Sequence, residues 1–340
     1  MGYSAAVLDR ARAQFESSKA EHRASVYRYR ETVFAKIPRL QEIEMELRKS
    51  VAMYIRSSLV DRSGNMADGI RNRNLLLQSE RDSLIQKHNL NKRMLSEEPK
   101  CPICGDRGYV GSAMCDCFRK FCVLEQNREL TRLMATGNES FENFNLNYYP
   151  DISLDYFYAT TEDGRQQPSL SKATIRHLMS VNLRKCKTFA CNFQEQGSGN
   201  LLFSGATGLG KTFLSACIAK QVSASGFSVV YESAPQIFRD YEDRKFRPTQ
   251  VAPGSADHYT LCDLLIVDDL GTEMVTPFTI SALYELINSR MITNKSTIIS
   301  TNIIPDMLEK RYSPQIASRI FGQYQIVKFI GNDIRMMLKK

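Results

Sequence analysis

Residues 201–220 read LLFSGATGLGKTFLSACIAK, an apolar run, a glycine-rich turn and a helix-like segment from Lys211. The turn GATGLGKT, Gly205 to Thr212, satisfies the spacing G-x-x-x-x-G-K-[ST]. It constrains the fold tightly: strand, turn and helix must follow in that order for the turn's backbone N–H groups and the helix N-terminus to converge on one anion. On this reading Gly205, Ala206, Thr207, Gly208, Leu209 and Gly210 wrap the phosphates of ATP. Lys211 reaches the β- and γ-phosphates, and Thr212 ligates Mg2+.

The string GATGLG also fits a dinucleotide-binding turn, which needs an acid at the end of the next strand for the ribose and makes no use of Lys-Thr. Glu232, closing the run FSVVYE, offers such an acid. The segment LLIVDDLGTE, residues 264–273, favours a nucleoside triphosphatase instead, because it delivers two carboxylates at the end of an apolar strand. Asp268 is the candidate for the Mg2+ shell and Asp269 the candidate to orient or deprotonate the attacking water. A small-molecule kinase would share the phosphate loop but not the motifs that follow.

From about residue 169 onward, helix-like and strand-like segments alternate: a helix to 192, NLLFSG, a helix from Lys211, FSVVYESA, a helix through Phe238, DLLIVDD, a helix from 277, STIISTN, a further helix and YQIVKFIG. Such alternation predicts an α/β domain with a mostly parallel sheet and helices on both faces. STIISTN ends in polar Ser300, Thr301 and Asn302 at the sheet edge where ligands bind in such folds, so Asn302 is placed to hold water with Asp269.

Taken in order, GATGLGKT, VDD, STN, IASRI and GNDIR resemble the DnaC/DnaI-type bacterial helicase loaders and the related IstB-type transposition ATPases of the AAA+ class, over residues 165–340. The resemblance implies an AAA+ P-loop domain that forms homo-oligomers. Within it Asn302 takes the sensor-one position, Arg319 the arginine finger that reaches a neighbour's nucleotide, and Arg335 the sensor-two arginine at the γ-phosphate. The chemistry is sound, since charge spreading over phosphoryl oxygens pairs well with a guanidinium. The bland alternative for both arginines is surface solvation. The chain departs from the commoner pattern in carrying Asp269 where Glu is frequent, which places fast turnover in doubt.

The segment IFRDYEDRKFRP interleaves Phe238, Tyr241 and Phe246 with Arg239, Arg244, Lys245 and Arg247. It is either a contact for single-stranded DNA, with aromatics stacking on bases and cations meeting phosphates, or an amphipathic helix whose aromatics are core.

Upstream, CPICGDRGYVGSAMCDC sets Cys101, Cys104, Cys115 and Cys117 in a C-x-x-C and C-x-C pattern suited to tetrahedral Zn2+, with Gly105 and Gly108 easing the first turn. Cys122 is an alternative to Cys117, and a redox dithiol is the rival chemistry. Four thiolates leave no open position, so such a metal builds a surface and does no chemistry. The segment also resembles the cysteine-bearing N-terminal part of DnaI-type loaders, which helps to bind the replicative helicase.

Before it, Leu40, Ile43, Leu47, Val51 and Tyr54 recur at helical spacing, the polar stretch 61–74 reads as a break, and LLLQSERDSLIQKHNL reads as a second helix of a hairpin. The expected organisation is a helical partner-binding region (1–95), a zinc module (96–136), a linker with aromatics available to pack on the next domain (137–165) and the AAA+ domain (166–340). The net charge of +8 suits a nucleic-acid partner without requiring one. The N-terminus lacks a secretory apolar core and no run approaches a membrane span, so the expected location is the cytoplasm. The leading expectation is an ATP-dependent loader acting on a replicative DNA helicase and single-stranded DNA. The alternatives are an IstB-type transposition helper and a nucleotide-gated DNA-binding adaptor with little turnover.

Overall fold

A computed structural model of the chain describes residues 2–60, 65–133, 139–154, 173–194, 197–247 and 257–337. Two compact units emerge, one built from residues 1–12 and 119–340, the other from residues 13–118.

The larger unit is organised around a parallel sheet of β3 (Asn200–Ser204), β4 (Val229–Ser233), β5 (Leu264–Leu270), β6 (Ser296–Thr301) and β7 (Tyr324–Lys328). Their spatial order is β4-β5-β6-β3-β7. Both sheet faces are covered, so the middles of β3 and β5 are apolar, while β6 carries buried Ser296, Thr297, Ser300 and Thr301 around its two isoleucines. Leu201, Phe203, Ile266 and Ile298 point into one core with the helices Ile175–Cys191 and Lys211–Ala224. Leu202, Leu265, Val267 and Ile299 point into the other with the helices Ala234–Phe246, Pro277–Ile292 and Pro314–Gln323. The result is the α/β architecture expected from the alternation of segments, with β3, β5 and β6 presenting their carboxyl ends side by side.

That strand order also removes the dinucleotide rival. A dinucleotide fold sets its second strand beside its first. Here β5 and β6 separate β4 from β3. Glu232 meanwhile turns onto its own neighbour, accepting the Ser233 N–H at 2.9 Å.

The smaller unit holds most of a long helix, Ala5–Lys36, then helices Pro38–Val60 and Asn65–Lys87. Pro38 stops the first helix and starts the second, since its ring disfavours helical backbone at the preceding residue and its missing N–H is not needed at a helix start. Val33, Leu40, Ile85 and Leu95 form its small core. The third helix begins at Asn65, inside the stretch 61–74 read as a break; residues 61–64 of that stretch lie outside the described residues. Gly69 lies inside it, and exposed cross-helix pairs join the hairpin, Arg73 to Glu46 at 2.9 Å and Arg39 to both oxygens of Glu80 at 2.8 and 2.9 Å. Among the described residues no helix is long and apolar enough to cross a membrane.

Candidate functional site

The strand β3 ends at Ser204 and the chain turns through the glycine loop into the helix that begins at Lys211. Gly208 and Gly210 lie in left-handed backbone, φ +75° and +87°, which a residue with a β-carbon adopts only at a cost. Gly210 caps the helix. The loop is braced from the connector, whose aromatics do pack on this unit. The Tyr149 hydroxyl donates to the Leu209 carbonyl at 2.8 Å, and Phe144 stacks on Tyr149 at 5.7 Å. Lys211 is buried, and its ammonium donates to the carbonyls of Gly205 and Ala206, both at 2.7 Å. Burial pulls its pKa down, Asp269 and Asp268 pull it up, and Arg335 opposes them. The cation therefore stands inside the loop, within the field of both carboxylates.

Asp268 is buried and held from two sides. The Tyr231 hydroxyl donates to Oδ2 at 2.6 Å and the Ser300 hydroxyl donates to Oδ1. Burial first, then Asp268 and Asp269, push the Tyr231 phenol far above its ordinary range, while the Thr212 hydroxyl acts in the opposite sense. Asp269 follows at an irregularity in the β5–β6 register and takes φ +53°. Its N–H donates to Ser300 Oγ at 3.0 Å and its carbonyl accepts from the Thr272 hydroxyl at 2.9 Å. Two adjacent strand residues ordinarily point to opposite faces. The bulge and the left-handed turn of backbone bring the second carboxylate, like the first, within reach of Lys211. Burial and the neighbouring Asp268 raise the Asp269 pKa, with Lys211 and Arg335 pulling it back.

Asn302 is exposed just beyond β6, beside the Gly271 turn that follows Asp269. Arg335 sits on a short helix, Ile334–Met337, tied to the loop by the Ile334 N–H donating to the Gly208 carbonyl at 3.0 Å. The structure thus brings together the glycine loop, Lys211, Asp268, Asp269 and Arg335. Arg319 is engaged elsewhere: its guanidinium lies 4.3 Å from the Tyr284 ring centroid and donates to the Tyr284 hydroxyl at 2.6 Å and to Asn288 Oδ1 at 3.3 Å.

Thr212 is exposed at the helix start, and with the Asp268 carboxylate it offers the oxygen donors that Mg2+ takes alongside nucleotide phosphates. The loop amides and Lys211 fit a triphosphate. The donor set therefore fits ATP with Mg2+.

The interleaved segment divides in two. Phe238 is buried and Tyr241 stacks on Tyr259 at 6.2 Å, so these are core, as the amphipathic-helix alternative has it. Arg239 donates to Gln236 and Arg244 pairs with Asp257 at 2.6 Å. Phe246 is 67% exposed and meets Phe278 at 5.6 Å, with the Lys245 ammonium 5.0 Å from the Phe278 ring.

In the smaller unit Cys101, Cys104, Cys115 and Cys117 bring their sulfurs within 4.8 Å of one another. A hairpin of β1 (Tyr109–Val110) and β2 (Ala113–Met114) returns the second pair to the first. Asp106 fixes the first turn by accepting the N–H groups of Lys100 and Cys101 at 3.0 and 2.8 Å. Thiolates bonded to one tetrahedral Zn2+ at ~2.3 Å stand about 3.8 Å apart. Cys101 and Cys115 are 3.8 Å apart, and Cys104 and Cys117 are 3.4 Å apart. The set fits zinc, and it contains Cys117, not Cys122. Burial opposes ionisation of Cys104, but the Gly108 N–H and the neighbouring thiols bring that thiol down, while burial and the same neighbours push the Cys117 thiol up.

Sequence reasoning missed Tyr231 and Tyr149 at the site and Tyr284 beside Arg319, because each acts through a partner distant in sequence.

Comparison with known proteins places the larger unit's fold in context. The family of IstB-like ATP binding proteins matches residues 165–335. A protein of Bacillus thuringiensis subsp. berliner, described as an ATP-binding protein of insertion sequence IS232, is 26% identical over 175 residues, 50% of this chain and 64% of that protein. The chain thus spans less than two thirds of that relative's length. Among solved structures, the DnaC helicase loader is similar at 18% identity and a TM-score of 0.42, over 52% of this chain and 99% of that one. The DnaI structure is similar at 20% identity and a TM-score of 0.40, over 49% and 87%. With half of its length matched, and with the glycine loop, the paired carboxylates and the parallel sheet that carries them, the chain belongs to the IstB-like ATP-binding family of AAA+ proteins.

Proposed function

We propose that this chain is an ATPase that loads a replicative DNA helicase, with ATP binding driving assembly and hydrolysis timing release. The observation that carries the loader reading is the four-cysteine cluster on the same chain as the nucleotide site, because a closed zinc knuckle beside a helical hairpin supplies a rigid partner-binding surface. The resemblance of this cysteine segment to that of DnaI-type loaders supports the same reading.

In this scheme the loop amides and Lys211 bind the phosphates, and Thr212 and Asp268 hold the metal. Asp269 and Asn302 orient water, Arg335 pairs with the γ-phosphate in cis, and Arg319 serves a neighbouring copy. Bound Mg2+ neutralises charge on the phosphoryl oxygens. Single-stranded DNA meets exposed Phe246, its neighbour Phe278 and Lys245, which offer an aromatic surface and a cation together.

The test is co-purification of a tagged replicative helicase with the full chain and with Cys101→Ser/Cys104→Ser. ATP-sensitive binding by the wild type, lost in the double variant, is the expected result. A second reading, an IstB-type transposition helper, draws on the insertion-sequence relative, whose similarity spans 175 residues. No helicase binding, together with ATP-dependent filaments on duplex DNA, would favour it over the loader.

A further inference from the structure

Asp268 carries the metal in the reading above, yet a carboxylate on a strand end has free rotation about its last bond unless something fixes it. Both of its oxygens are fixed here by hydroxyl donors from the strands on either side. Tyr231, from β4, donates to Oδ2 at 2.6 Å, and Ser300, from β6, donates to Oδ1. Parallel register explains the placement: Ser233 pairs with Asp268 and Tyr231 with Ile266, so the tyrosine starts two residues back and its long side chain reaches forward along the sheet. Ser300 does double service, since its oxygen also accepts the Asp269 N–H at 3.0 Å and thereby steadies the bulge that turns Asp269.

We propose that Tyr231 and Ser300 are positioning residues for the Mg2+ centre, a hydroxyl clamp that presets the Asp268 carboxylate before nucleotide arrives. The proposal rests on the ATP and Mg2+ reading of the site. Each donor uses one lone pair of its oxygen and leaves the remaining pairs for metal-bound water. Partners of metal-ligating groups of this kind commonly alter metal affinity by about 10- to 100-fold when removed. Tyr231→Phe removes only the hydroxyl and keeps the ring in the core it helps to form.

The experiment measures affinity for a fluorescent ATP analogue in EDTA and across a Mg2+ titration, for wild type, Tyr231→Phe and Ser300→Ala, with thermal midpoints as a folding control. The expected result is a rise of about tenfold in the Mg2+ midpoint for Tyr231→Phe and an equal or greater rise for Ser300→Ala. Metal-free affinity should hold within about twofold of wild type, a pattern that a general loss of packing would not produce. An unchanged Mg2+ midpoint in Tyr231→Phe, with a wild type that binds Mg-nucleotide normally, overturns the clamp alone. A folded wild type that binds no nucleotide overturns the reading of the site and the clamp with it.

Discussion

Asp333 lies against Gly208, its carboxylate filling the space that a β-carbon on the glycine would need. The same carboxylate accepts the Arg335 N–H at 2.9 Å, so the segment carrying Arg335 is seated directly on the phosphate loop. Gly208→Ala therefore meets two obstacles, the collision and a left-handed φ. The backbone component alone costs roughly 1–3 kcal/mol. The expected outcome is a lower thermal midpoint and loss of nucleotide binding. Adding Asp333→Ala should restore part of the midpoint, because the collision goes and the backbone cost stays. Strictly additive losses in the double variant would contradict the contact.

Lys211 makes its two hydrogen bonds to Gly205 and Ala206, and its ammonium is the only lysine charge inside the described loop. Charge-assisted hydrogen bonds are worth about 1.5–3 kcal/mol, so Lys211→Ala should weaken ATP binding roughly 10- to 100-fold. Isothermal titration with a non-hydrolysable analogue checks this. Hydrolysis that persists at the wild-type rate would remove Lys211 from the site.

The parts of the molecule that sequence displayed are those whose signal is local. LLF and LLIV are unbroken apolar runs because β3 and β5 are buried on both faces, and the four cysteines announce their cluster through spacing alone. Other features depend on register between distant segments. That Tyr231 reaches Asp268 follows from the pairing of β4 with β5, and that Arg319 rests on Tyr284 follows from how two helices meet on one sheet face. The aromatic segment shows the same limit. Helical spacing groups Phe238 with Tyr241 but does not say which face is inside, and the core proves to hold those two while Phe246 stays outside.

Arg319, resting on Tyr284 and Asn288, makes a specific kinetic prediction. If it serves a neighbour's nucleotide, the ATPase rate per chain should rise with protein concentration. Arg319→Ala should flatten that rise while leaving nucleotide affinity unchanged. Arginine fingers contribute about 10³- to 10⁵-fold, so the gap should be large at high concentration and vanish at low. A rate per chain independent of concentration in the wild type would argue against a role in trans.

The four-cysteine cluster predicts one zinc per chain by elemental analysis, lost in Cys104→Ser. Because a closed four-cysteine site contributes folding energy directly, chelation should unfold the smaller unit and expose its core of Val33, Leu40, Ile85 and Leu95. Circular dichroism should show helix loss on chelation, while ATP binding by the larger unit persists. Full helicity in the metal-free protein would assign the cysteines some other role.

Asp269 is the shorter of the two acidic side chains, and the backbone supplies a reason for it. At φ +53° a left-handed conformation is required, which Asp and Asn tolerate better than other residues with a β-carbon. Ser300 and Thr272 hold that conformation through the N–H and carbonyl of Asp269, so relaxing it would disturb Asp268 as well. Asp269→Asn should keep the fold and nucleotide affinity while lowering hydrolysis by about 10²- to 10⁴-fold, the usual range for loss of a general base. Asp269→Glu should lower stability by roughly 1–2 kcal/mol, from the backbone cost, and give no faster turnover. Single-turnover hydrolysis with thermal melts of both variants checks the pair. A Glu variant that is both as stable as wild type and faster would show that the short acid was chosen for slow turnover and not for its backbone.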